Sequence, residues 1–122
     1  MATDRDIETF IGDSFTSIWD LELLTALLEH SEGTRAAELI ERMRSSEVVV
    51  ARGIEALVAA GIAAMEADGR LHFRPVNDAL GECARKACEF YERFPGRARR
   101  LIVARQTPGL NAFADAFRLR KD

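Results

Sequence analysis

Apolar positions recur at helical spacing along most of the chain, and at one place the spacing shortens to strand alternation. Residues 3–12 put Ile7, Phe10 and Ile11 on one side of a short helix. The next pattern is stronger. Ile18, Leu21, Leu24, Ala26, Leu27 and Leu28 make an apolar stripe that Trp19 and Leu23 widen. A helix apolar over so much of its surface belongs at the centre of a core. Ser17 with Asp20 is a capping-box variant that starts it, and Ser31-Glu32-Gly33 stops it.

Thr34 is placed to cap a third helix, which runs to about Met43 with Ala37, Leu39, Ile40 and Met43 available to pack inward. Arg44-Ser45-Ser46 gives a turn, where a serine can cap a fourth helix and Glu47 suits its positive first turn. This fourth helix buries Val50, Ile54, Leu57 and Val58, and Gly61 suits its left-handed end. Residues 62–67 and 70–74 then alternate around Asp68-Gly69, a strong hairpin signal, and Pro75 ends the second strand. Asn77-Asp78 opens a longer helix with Leu80, Cys83, Ala84, Ala87, Phe90, Tyr91 and Phe94 on its apolar side, and Pro95-Gly96 breaks it. A basic helix then holds Leu101, Ile102 and Val103. Beyond Thr107-Pro108-Gly109, a last one carries Leu110, Phe113, Ala114 and Phe117 at i, i+3, i+4 and i+7.

Helix, tight turn, helix and small hairpin is the order of a winged helix-turn-helix, whose second helix is shaped for the major groove of DNA. The run Val50-Ala51-Arg52-Gly53-Ile54-Glu55-Ala56-Leu57-Val58-Ala59-Ala60-Gly61-Ile62 resembles the recognition-helix-to-wing segment of the MarR, PadR and ArsR groups of bacterial regulators. The likeness covers residues 18–75, about half the chain. The terminal FADAFRLRKD also resembles small uncharacterised proteobacterial winged-helix proteins, a likeness that carries no activity. The expected architecture is mainly α with a two-stranded antiparallel β-wing. It has one domain over residues 1–122, a winged core at 17–75, and a helical C-terminal extension at 76–122 as a candidate dimerisation region.

The resemblance implies roles for particular side chains. Ser45, Ser46 and Glu47 would begin the recognition helix, and Val49, Arg52 and Glu55 would project from its outer face. Arg52 would read a guanine edge and Val49 a thymine methyl. Arg70, His72 and Arg74 would lie on the wing near the backbone or minor groove, with Arg35 and Arg44 clamping phosphate. Between residues 45 and 61 there is one arginine beside Glu47 and Glu55. A single copy so sparse in cations binds DNA weakly, so a dimer, or the basic stretch 97–105, has to add contacts.

Charge sharpens this picture. The net charge is −3, but residues 1–33 carry eight acids against Arg5, while residues 93–121 carry eight bases against Asp115. The overall sign argues against a blanket nucleic-acid coat, and the asymmetry permits a local basic face. Arg97, Arg99 and Arg100 are candidate accessory phosphate contacts, or else a solvated face or partners for the acidic N-terminal segment. Phe90, Tyr91 and Phe94 can form a dimer seam or pack within one subunit. Leu110, Phe113 and Phe117 can pack on the core, on a second copy, or on a protein partner.

At 122 residues the chain suits one domain. It has no apolar run long enough to span a bilayer. MATDRDIETF lacks a basic n-region and an apolar h-region, which places the chain in the cytoplasm by default. Cys83 and Cys88 fall about 140° apart on one helix, as packing residues rather than a disulfide or metal pair. His30 and His72 have no second ligand at metal spacing, so no metal is expected, and no cofactor. With no nucleophile–base pair and no phosphate loop, an enzyme is not expected either. The expected function is sequence-specific binding of double-stranded DNA by a homodimer that regulates transcription. The alternative is a winged-helix module that docks on a protein partner through Val48 and Val49 or the Phe113/Phe117 stripe, without binding DNA.

Overall fold

Six helices and one two-stranded antiparallel sheet make up the regular structure of residues 3–106, the part that the computed structural model describes. The terminal helix expected around Leu110, Phe113 and Phe117 lies outside the described residues. Thr3 caps α1 (Asp4–Ser14): its hydroxyl accepts from the Asp6 amide at 3.2 Å, and Asp6 accepts the Thr3 amide at 3.0 Å. That reciprocal bonding holds the Asp6 carboxyl below the usual carboxylate range. Ile7 and Ile11 are the buried residues of α1.

The expected central helix is α2 (Ile18–Glu29), with Leu21, Leu23, Leu24, Ala26 and Leu27 buried. It packs against α-helices on several sides and against the sheet. Its start is held by the carboxylate of Asp20, itself buried. The same oxygen accepts the Thr16 amide and the Thr16 hydroxyl, each at 2.8 Å, and the Ser17 amide at 3.3 Å. Trp19 does not widen the buried stripe, because it is 38% exposed.

Thr34 does not cap α3 (Ala36–Met43); Arg35 occupies that position. Thr34 instead pairs with Leu71, exchanging amide–carbonyl bonds of 3.0 and 2.8 Å. It thereby adds one rung of strand pairing to the sheet. Leu39 is buried and Ile40 and Met43 are half-buried, but Ala37 is exposed. Arg44 ends α3 in a left-handed conformation with φ 50. Ser46 then caps α4 (Glu47–Ala59) by accepting the Val49 amide at 3.2 Å. Val50, Gly53 and Leu57 form the buried stripe of α4 and Ile54 is half-buried, whereas Val58 is 42% exposed.

Gly61 takes φ +78 after α4, as its position suggested. The strands are β1 (Ala63–Met65) and β2 (Leu71–Phe73), paired Ala63 to Phe73, Ala64 to His72 and Met65 to Leu71. An Asp-Gly hairpin suggests a two-residue turn with both central residues at positive φ. Here only Gly69 has it, at +80, and its amide closes on the Glu66 carbonyl at 3.0 Å. The loop is therefore the three-residue form, a tight turn completed by a left-handed glycine.

Asn77 caps α5 (Asp78–Arg93) by accepting the Leu80 amide at 2.8 Å. Cys88 on α5 is buried, and that burial pushes its thiol up to about 11. A thiol so protonated is a packing group rather than a nucleophile. Pro95 opens α6 (Pro95–Gln106), since a proline at the first helical position gives up no helical hydrogen bond. Ala98 and Ile102 of α6 are buried, Leu101 is half-buried and Val103 is exposed. Among the described residues no helix is long and apolar enough to cross a membrane.

Candidate functional site

The outward face of α4 is set by its inward one. At 100° per residue, Val48 and Glu55 lie almost opposite the Val50–Gly53–Leu57 stripe, with Arg52 beside them. Val48 is 60% exposed, and Arg52 and Glu55 are exposed. Val49 lies only about 75° from the buried stripe and is half-buried. Val49 was expected to project beside Arg52, but the valine that does so is Val48.

The turn before α4 is occupied with backbone bonding. The Ser45 amide donates to the Ile40 carbonyl at 3.2 Å, and the Ser46 hydroxyl is engaged by the Val49 amide. Glu47 is exposed in the first turn, where the helix dipole favours its charge.

The hairpin joins this unit at its tip. A Cβ at Gly69 would come within 3.0 Å of Arg35 Nη1, so the Arg35 guanidinium rests on the turn. The Arg70 amide donates to Asp68 at 2.8 Å and is the main cause holding the Asp68 carboxyl below its usual range. Arg74 is exposed, but its guanidinium is paired with Glu66 at 3.1 Å across the hairpin.

His72 departs from expectation most. It is 8% exposed, with Nε2 3.3 Å from Asp68 Oδ2 and, among the described residues, no partner for Nδ1. Alternation would turn it outward, but the loop at Gly33 closes over its ring. His72 thus belongs to the packing of the hairpin and not to a surface that meets a ligand.

Arg35, Arg44, Arg52 and Arg70 all belong to this helix, turn, helix and hairpin unit, and among the described residues none of them takes part in a salt bridge. Three other guanidiniums are neutralised, Arg42 by Glu29, Arg74 by Glu66 and Arg97 by Glu8. Arg5, Arg85, Arg93, Arg99 and Arg100, outside this unit, also take part in no salt bridge among the described residues.

The basic stretch of α6 takes a different part. Arg97 lies 2.6 Å from Glu8 of α1 and 6.0 Å from the centre of the Phe90 ring. Arg99, with Trp19 and Val103, lines a cleft of about 320 Å³ between α2 and α6. Arg100 is exposed. The packing partners of α6 are α1, α5 and α2. Of the aromatic trio, Phe90 is buried within the subunit and Tyr91 donates to Glu22 of α2. Burial and Glu22 together raise the Tyr91 hydroxyl above its ordinary value. Phe94, 44% exposed and 5.3 Å from Phe90 between ring centres, is what remains of that seam for a second copy.

No family model, curated protein or solved structure matches the chain.

Proposed function

We propose that residues 17–75 form a winged helix-turn-helix that binds duplex DNA sequence-specifically, as a homodimer regulating transcription. The observation that carries this reading is the set of four guanidiniums, Arg35, Arg44, Arg52 and Arg70, that no carboxylate among the described residues neutralises. Phosphate is the partner chemistry for such a set, and a helix with an exposed stripe is the shape that enters a major groove about 12 Å wide. In this reading α4 is the recognition helix and the hairpin is the wing. Arg52 faces base edges, while Arg35, Arg44 and Arg70 meet backbone on either side. One copy offers about three phosphate contacts, so tight binding calls for two copies on half-sites about 34–36 Å apart.

Binding should fall with salt at a slope in log K of about −5, from roughly six phosphate contacts per dimer. Arg44→Ala should weaken all sequences alike and reduce that slope by about 2 per dimer, one for each copy. Arg52→Ala should reduce discrimination between operator and random duplex by about tenfold or more, with an unchanged circular dichroism spectrum. Titrations of both variants by fluorescence anisotropy check this. Equal discrimination by parent and Arg52→Ala would refute the assigned role of Arg52.

A second reading draws on one observation, the large exposed area of Val48 on the same face. As a protein-docking module, the chain would lose partner capture on Val48→Asp and show no salt-sensitive retention on duplex DNA at all.

A further inference from the structure

Arg52 does not stand alone on the outward face of α4. Val48 lies one turn before it at i−4 and Glu55 at i+3, and the three share the exposed face opposite Val50, Gly53 and Leu57 with the small Ala51 and Ala59. Arg52 and Glu55 are spaced to pair along the helix, yet no salt bridge joins them, and both are exposed. The phase of the stripe is fixed from below by the Ser46 cap and by the buried Val50.

We propose that Val48, Arg52 and Glu55 form one base-reading stripe, an inference that rests on the DNA-binding reading and assigns its specificity. Each side chain matches a different major-groove feature. A branched apolar group suits the thymine methyl, a guanidinium suits guanine O6 and N7, and a carboxylate accepts from the cytosine amino group. This gives Glu55 a place. A carboxylate on a DNA-facing helix is repelled by phosphate, and cytosine suits it best, because cytosine presents its amino donor without the N7 acceptor that sits beside the amino group of adenine. At about 1.5 Å rise per residue, Val48 and Arg52 are about 6 Å apart along the helix, close to two base steps of about 3.4 Å. Glu55 falls about one step further. The half-site therefore holds a thymine, a guanine two steps on, and a cytosine on either strand about one step beyond.

The test swaps thymine for uracil, which removes the methyl and leaves pairing intact. The purified chain is titrated with its selected duplex and with the same duplex carrying uracil at the thymine position. The parent should bind the uracil duplex about fourfold more weakly, the effect of one buried methyl. Val48→Ala should bind both duplexes equally, and Glu55→Ala should lose its cytosine preference by about tenfold. A sequence-selective parent that ignores the uracil swap, or a Val48→Ala chain that still senses it, overturns this inference and leaves the DNA-binding reading in place. A parent that selects no duplex overturns both.

Discussion

Gly33→Ala should destabilise the protein by about 3 kcal/mol, read as a drop in the urea midpoint without a change in slope. Two effects combine. Gly33 has φ +85, a conformation that costs a residue with a Cβ about 1–2 kcal/mol. The added Cβ would also sit 2.6 Å from Cε1 and Nε2 of the His72 ring, far inside contact distance. That ring cannot swing away freely, because it is buried and held against Asp68. Displacing it strains β2, which Thr34 also grips through Leu71. Overpacking of this kind costs about 1–3 kcal/mol. In a His72→Ala background the same glycine substitution should cost only the backbone strain, about 1 kcal/mol, so the two changes couple strongly. A Gly33→Ala chain within about 0.5 kcal/mol of the parent would show that this loop does not clamp the hairpin.

Asp20→Ala should be nearly as damaging, lowering the melting temperature by roughly 10 °C. Its carboxylate accepts three hydrogen bonds from Thr16 and Ser17 in a buried position at the head of the central helix. Removing it leaves two backbone amides without their acceptor, and bonds to a charged group are worth about 1.5–3 kcal/mol. The effect reaches α4, since Gly53 lies against Asp20 Oδ1 and Leu23. Asp20→Asn keeps an acceptor oxygen and should recover more than half of the loss. Thermal unfolding at neutral pH separates the two variants, and an Asp20→Ala melt within about 2 °C of the parent would contradict this role.

Much of the fold could be read from local signals. Ser17 with Asp20, Ser46, Gly61, Asp68-Gly69 and Asn77 each act within a few residues, so their chemistry is visible in sequence order. The features that escaped depend on distant partners. A threonine before a helix serves equally as a cap or a strand residue, and only Leu71, far along the chain, decides for pairing at Thr34. His72 looked outward by alternation because nothing near it in sequence shows the loop that covers it. For Arg97 the charge asymmetry did offer the acidic N-terminal segment as a partner, and what sequence order could not show is that Glu8 is the acid it meets, at 2.6 Å.

The phase of α4 was ambiguous for a different reason. Val48, Val49 and Val50 are equally apolar, and the residue that resolves the register is Gly53, which adds nothing to a hydrophobic pattern. The candidate site moved accordingly, with Val48 replacing Val49 and His72 and Arg74 leaving the set of available contacts.

The unneutralised arginines and the exposed stripe of α4 bear on one claim, that this surface reads duplex DNA. Selection of bound sequences from random duplex DNA by the purified chain at low salt tests it most directly. The expected result is an enriched, two-fold symmetric site whose halves are centred about one helical turn apart. A pool that stays unenriched at low salt would contradict it.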